Sequence, residues 1–231
     1  MLERIHNSMV DVQVDHFNTN VSDLGEATLT GSNADVYTTP ASTRTLVYSI
    51  QVTNTDTISR TFTVTLSDNS AGPVEYKLAH EMPLAAGETI ELLVKPKVLE
   101  TSDKIRALGS VTSVIDISVS GIELAADTEH FNASLSLANT TLTTLFTGTG
   151  TGQMLESLIL VNDSGSDTTG TVTWTTNSAA TLIDWVKTLI IPANSSIEIL
   201  EKPKAILSGD TVQVQAGDAN RLDAILSGRN K

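Results

Sequence analysis

Apolar and polar residues alternate along most of this chain. In TLVYSIQVTN, Leu46, Tyr48, Ile50 and Val52 fall at every second position. In TFTVTLS, Phe62, Val64 and Leu66 alternate with threonine, and in GTVTWTT, Val172 and Trp174 do the same. A period of two over seven to ten residues predicts half-buried strands, with these side chains inward and threonine outward. Further strands are expected at EYKLAHEMPL and LIDWVKTLII, at TIELLVKP and SIEILEKP, at KIRAL and TVQVQA, and at VIDISVSGI and RLDAILSG. Between them lie turn-forming clusters such as TDTIS, DNSAGP, AAGE, ETSD and LSGD. No segment carries a long stripe of period 3.6, so no helix is expected.

These strands come in two sets. SIQVTNTDTISRTFTVTLSDNS, from Ser49, matches SLILVNDSGSDTTGTVTWTTNS, from Ser157, without a gap at an offset of 108. Farther on the offset becomes 107. Residues 90–121 and 197–228 share ten identities in 32 positions: Ile90, Glu91, Leu93, Lys95, Pro96, Lys97, Asp103, Asp116, Ser120 and Gly121. The tripeptide HFN also occurs twice, at His16–Asn18 and His130–Asn132, and reads as the start of each copy. An internal duplication is the direct reading of such self-similarity. The expected organisation is an N-terminal arm at 1–14, one module at 15–125 and a second at 126–231. The AADT joint between them is too short to act as a flexible tether. About seven strands per module, plus one near HFN, with turns every 8–12 residues, predict an all-β chain of two tandem antiparallel β-sandwiches. Periodicity leaves the immunoglobulin-like and jelly-roll topologies both open.

Composition narrows the class. The chain has 231 residues, enough for two cores, with 40% hydrophobic and 18% charged residues, which is globular rather than disordered composition. It has no cysteine, which removes disulfides, thiolate chemistry and cysteine zinc sites. The net charge of −13 repels phosphate backbones, so nucleic acid is not an expected partner. No uninterrupted apolar run is long enough for a membrane span, and the N-terminus lacks the apolar core of a signal peptide. The chain is therefore expected to be made and kept in a cytosol, or assembled there into something larger.

The candidate chemistry is thin. His16 and His130 are copies of one position and so belong a module apart; a repeated packing or hydrogen-bonding role is expected rather than a shared metal. His80 has no histidine opposite it. NDSGSD (Asn162–Asp167) resembles a calcium loop, but the twelfth position is Thr173 instead of a closing Glu, and a polar hairpin turn is preferred. GTGTG (Gly148–Gly152) has the glycines of a phosphate loop without its lysine or following helix. No nucleophile elbow, zinc-protease or P-loop motif is present, and no pair among the scattered carboxylates stands out. No catalytic, cofactor-binding or metal-binding residue is therefore assigned. KPK, at Lys95–Lys97 and Lys202–Lys204, is the one basic feature shared by both modules. It reads either as a charge contact with an acidic neighbour in an assembly or, preferably, as protection of a sheet edge, since lysine and proline both discourage strand addition.

SIQVTNTDTISRTFTVTLSD, MPLAAGETIELLVKPKVLETSDKIRA, ISVSGIEL and the LSGD of Leu207–Asp210 together resemble β-sandwich modules of tailed-bacteriophage virion proteins. The resemblance spans both modules and omits the arm. It implies a non-enzymatic structural role, as a capsid decoration (cement) protein or as a neck, head-fibre or tail component. It also implies virion proteins as partners, homo-oligomerisation and a place in the virion. Val10, Val12 and Val14 of the arm suit strand addition to a neighbour. A carbohydrate-binding or host-adhesion module is the alternative of another class, and an exposed Trp185 beside tyrosine or carboxylates would favour it.

Overall fold

The computed structural model describes residues 21–70, 72–125 and 127–230. The arm (1–14) and the first HFN copy, with His16, lie outside these residues. The described residues contain strands and turns and no helix.

Module 1 is built from β1 (Ser22–Thr28), β2 (Ala34–Thr38), β3 (Thr43–Asn54), β4 (Arg60–Asp68), β5 (Val74–Leu84), β6 (Thr89–Glu91), β7 (Lys97–Leu99), β8 (Lys104–Gly109) and β9 (Ile115–Ala125). Its first sheet has the order β1-β9-β3-β6, with β7 also on β3; its second has the order β2-β8-β4-β5. Module 2 repeats this with β10 (His130–Ser136), β11 (Thr143–Thr147), β12 (Gln153–Asn162), β13 (Thr168–Thr175), β14 (Leu182–Ile191), β15 (Ser196–Glu198), β16 (Lys204–Ile206), β17 (Thr211–Ala216) and β18 (Leu222–Asn230). Its sheets run β10-β18-β12-β15, with β16 on β12, and β11-β17-β13-β14. Taking the interrupted β6–β7 and β15–β16 as one strand each gives eight strands in two four-stranded antiparallel sheets. Their order is that of a jelly roll, which settles the topology that periodicity left open.

The duplication extends to backbone conformation. Left-handed residues recur at the same places: Ser42 and Gly150, Glu81 and Thr188, Gly87 and Asn194, Ser102 and Gly209, Ser113 and Asn220. Only the second member of the Ser102–Gly209 pair is the glycine that such a turn favours. The repeated Gly121 and Gly228 have a different reason. A Cβ at either would fall on the carbonyl oxygen of Leu46 or Met154, where the neighbouring strand bulges.

That bulge also corrects a facing. The register shifts between Val47 and Ser49, which makes Tyr48 the extra residue. Val47, Ile50 and Val52 therefore enter the module 1 core, while Leu46 packs with Val98 and Ile122 in a small separate cluster and Tyr48 stays exposed. Strict alternation places Leu46 and Tyr48 with Ile50, and the bulge overrides it. Phe62, Val64, Leu66 and Val172 are buried as expected. The threonines between them are less exposed than expected: Thr63 and Thr65 are buried, and the bulged backbone of β5 lies over Thr63, whose hydroxyl accepts the Glu81 N–H at 3.0 Å.

TIELLVKP (89–96) was expected as one strand, but only its first three residues are β6; the chain then leaves the ladder and rejoins β3 as β7 from Lys97. Glu91 fills the gap: its carboxylate accepts from the backbone N–H of Ile50 (2.9 Å) and Leu93 (3.1 Å). Glu198 does the same for Leu158 (2.7 Å) and Leu200 (3.3 Å). A backbone donor inside a sandwich needs a partner, which is a physical reason for the glutamate in both copies.

Strand register refines the HFN repeat. Phe131 and Asn132 pair with Gly228 and Ser227, whereas Ser22 and Asp23 pair with the equivalent Gly121 and Ser120. The module 1 counterpart of Phe131 is therefore Ser22, several residues beyond Phe17.

Candidate assembly interface

The two modules meet asymmetrically. β5 and β7, one edge of module 1, lie against β10, β12 and β18, the outer face of a module 2 sheet. Ile159, Val161 and Ile225 project from that face into the same packed cluster as Tyr76, Leu78 and Leu93 of module 1. Polar groups surround this apolar centre. The Lys77 N–H donates to Asp223 at 2.7 Å, Val98 N–H to the Ser227 hydroxyl at 3.0 Å, and the Asn132 amide to the Val98 carbonyl and Asp103, both at 3.1 Å. His80 and Asn194 approach to 3.3 Å.

The first KPK sits at the centre of this contact. Lys97 is only 1% exposed. Its ammonium donates to the Ser157 hydroxyl and lies 3.1 Å from the Glu198 carboxylate, whose own exposure is small. Burial pulls the Lys97 ammonium below its ordinary pKa, and the Glu198 charge opposes that shift. Lys95 donates to the carbonyls of Glu156 and Leu200. This copy therefore makes a charge contact inside the chain, with module 2, which neither the assembly reading nor the edge-protection reading anticipated.

Each element of the contact has an unmatched copy. The second KPK is exposed throughout, and among the described residues neither Lys202 nor Lys204 makes an ion pair. The neighbouring edge strand β14 exposes Leu182, Ile183 and Ile190. On the other side, the outer face of the β1-β9-β3 sheet forms a shallow depression lined by Glu26, Thr28, Gln51, Thr53, Asp116 and Ser118. Gln51, Thr53 and Ser118 occupy the places of Ile159, Val161 and Ile225. At its margin the Ser49 hydroxyl donates to Glu91 at 2.5 Å, just as Ser157 donates to Glu198 at 2.7 Å, but Glu91 is exposed and receives no lysine. Asp116 accepts from Thr28 at 2.7 Å, in the manner of Asp223 and Ser136.

The other sequence candidates among the described residues make local packing and hydrogen-bond contacts. His130 lies 2.7 Å from Asp127, and Phe131 stacks on Phe146 with centroids 4.9 Å apart. In NDSGSD, the Asn162 amide donates to the carbonyls of Ser166 (2.8 Å), Ile191 (3.0 Å) and Pro192 (3.1 Å) while its oxygen accepts Ser164 N–H at 3.0 Å. Asn54 does the same in module 1 with Ile58, Leu84 and Ala85. This asparagine is a turn lock, missed as such in the sequence although its repetition signalled it. GTGTG is the turn entering β12, with Gly150 and Gly152 left-handed. Among the described residues no three His, Asp or Glu side chains cluster as a metal site. Trp185 is half-buried at the margin of the module 2 core, 6.4 Å from Trp174.

Fold and interface together define a tandem jelly roll whose modules bind sheet face to strand edge. No protein-family model matches the chain, and no curated protein matches it. Among solved structures it is similar to the STIV MCP, at 10% identity over 91% of this chain and 94% of that one, with a TM-score of 0.36. It is also similar to the CBM22-1-CBM22-2 tandem of Paenibacillus barcinonensis Xyn10C, at 8% identity over 93% and 92% with a TM-score of 0.27. A third is a protein of an archaeal virus, described by its triple jelly-roll fold and turret assembly, at 11% identity over 93% of this chain and 59% of that one, TM-score 0.26. Viral capsid proteins are thus among the structural neighbours. Overlaps this loose carry no argument about function, and the jelly-roll topology rests on the strand order of the chain itself.

Proposed function

We propose that this chain is a non-enzymatic virion structural protein, specifically a capsid decoration protein docking on the head lattice of a tailed bacteriophage, with the arm (1–14) and the modules 15–125 and 126–231 as its units. The observation that carries the reading is the repeated docking surface. The chain contains one complete face-to-edge contact and, among the described residues, leaves a second face and a second edge open, which is an arrangement for lattice assembly. Jelly rolls build viral capsid domains, and the strand-and-turn resemblance to phage virion modules points the same way. Immunogold labelling of particles from the source lysate tests it. Even label over heads is the expected result; label at one vertex or along the tail assigns the protein to neck or tail instead; unlabelled particles overturn the virion role.

A second reading rests on the cleft between the modules, about 610 Å³ in volume, where the exposed ring of Tyr48 stands near Glu123, Glu129, Glu156 and Arg229. An aromatic ring beside carboxylates suits a sugar, and jelly rolls also build lectin domains. Binding on a glycan array that is lost in Tyr48→Ala would favour this adhesion reading over the first.

A further inference from the structure

We infer that copies of this chain assemble head to tail, and that the contact between them repeats the contact between the two modules. The edge formed by β14 and β16 of one copy docks on the outer face of the β1-β9-β3 sheet of the next. The inference deepens the structural role proposed above by naming the partner, a second copy, and it holds wherever such assemblies occur.

The argument is one of equivalent positions. Inside the chain, the Lys97 ammonium meets the Ser157–Glu198 pair. Lys204 is the copy of Lys97 and is exposed; Ser49–Glu91 is the copy of Ser157–Glu198, with the same hydrogen bond already made and Glu91 exposed. Each has the partner that the other lacks. In the same way Asp116, copy of Asp223, is placed to accept a backbone N–H from β14, as Asp223 accepts that of Lys77 on β5. Ser120, copy of Ser227, is placed to accept from β16, as Ser227 accepts from Val98 on β7. Charge agrees. The docking edge carries exposed Lys187, Lys202 and Lys204 beside Glu201 and Asp184, the latter paired with Lys187 at 3.3 Å, which leaves a small positive excess in a chain of net charge −13, and the receiving face carries Asp23, Glu26, Glu91 and Asp116. Both surfaces occur once per copy and differ from each other, so the contact is heterologous and generates a ring if its rotation closes or a filament if it does not.

The two contacts differ in strength for a visible reason. Between modules the centre is Ile159, Val161 and Ile225; between copies those places are Gln51, Thr53 and Ser118. The contact between copies therefore leans on charge. It is reversible and salt-sensitive, because exposed ion pairs are screened within about 10 Å at 0.1 M salt.

The test is sedimentation velocity on the full chain up to about 0.1 mM, a range that resolves micromolar association, followed by zero-length carbodiimide cross-linking of mixed light and heavy-isotope protein. The expected results are oligomers that dissociate as salt rises and a Lys204–Glu91 cross-link between isotopically different copies. Lys204→Glu, a change at a site exposed in the single chain, should weaken association by at least about tenfold, since it sets a like charge against Glu91 at the centre of the contact. Ser118→Ile, which installs the residue found at 225, should strengthen it at constant net charge. A wild-type chain that stays monomeric overturns the inference whatever the variants do. So do cross-links confined to other surfaces, or a two-fold dimer in which like surfaces meet. Particles that label for the protein while the pure chain stays monomeric would sink this inference alone; self-assembling protein absent from every particle would sink the virion role alone.

Discussion

The KPK segments are the same three residues in the same turn of the same fold, and one ends in a buried lysine while the other is bathed in solvent. Lys97 has lost its water to the Ser157–Glu198 pair; Lys204 has not. The difference lies in the surface that each edge meets. The edge of module 1 is covered by a sheet face carrying three isoleucine or valine side chains, and among the described residues nothing covers the same edge of module 2. One local sequence thus serves as an internal joint in one copy and an external surface in the other. The paired aspartates at the next turn, both buried, differ instead in the direction of their pKa shifts. Burial raises the Asp103 carboxyl above its ordinary value of 3.8, with the Asp68 charge adding to it, even against the N–H groups of Asn69 and Glu100 and the Asn132 amide of module 2, all of which favour the carboxylate. At Asp210 burial acts too, but the N–H donors of Asn177, Leu207 and Trp174 outweigh it and hold the carboxyl below 3.8.

The comparison is broken most forcefully at the glutamates. Glu198→Ala strips Lys97 of its charge partner and leaves two backbone donors unpaired, for a cost of about 3–5 kcal/mol. Glu91→Ala leaves the backbone donors unpaired but no buried lysine, and should cost about 1–2 kcal/mol. Urea unfolding of both variants measures the gap, and equal costs would mean that the buried pair adds nothing. Next in size is Ile225→Ser, which gives module 2 the residue of module 1. It should cost about 2–4 kcal/mol and loosen the joint, read as faster hydrogen exchange in β5 and β7 than in β13. Unchanged exchange in β5 would show that Ile225 does not hold the modules together.

Where the modules are alike the variants should be alike. Asn54→Ala and Asn162→Ala each leave the same turn carbonyls without their amide, and each should cost about 1–3 kcal/mol. A large inequality in thermal unfolding would contradict the equivalence of the two turns. The smallest effect is one of pH. The folded pKa of Asp103 lies above 3.8, so its contribution to stability is complete below that value and is lost as pH rises through the interval above it. The folded pKa of Asp210 lies below 3.8, so its contribution is present above that value and is lost as pH falls through the interval below it. Unfolding free energies of Asp103→Asn and Asp210→Asn, each relative to wild type across acidic pH, should therefore slope in opposite directions, and parallel slopes would refute the assigned environments.

Much of the fold was legible in the chain. Alternation located β3, β4, β5, β8, β9 and their copies, and the 107–108 offset revealed the duplication, because pleated strands with one buried face impose a period of two. β1, β2 and β11 escaped notice because SDLGEAT, ADVYT and TTLFT are short and little alternating. The break between β6 and β7 was hidden because a carboxylate replaces the missing backbone partners there. The Tyr48 bulge was hidden because one added residue reverses the facing of everything before it. Of the interface, the repeated KPK was visible but its division of labour was not. Gln51 against Ile159 and Ser118 against Ile225 were the available signal: at matched outward positions one copy is polar and the other apolar, which marks a covered face.

The sequence by itself determined that this protein is all-β, duplicated, acidic and free of cysteine chemistry, since strand periodicity, repetition and charge are local properties that any reader of the chain can count. Tertiary structure alone decided the jelly-roll order, the orientation of edge against face, and which lysine and which glutamate of each pair would be dry. Those depend on which surfaces meet, and two copies of one motif acquire different electrostatics only when a neighbour removes water from one of them.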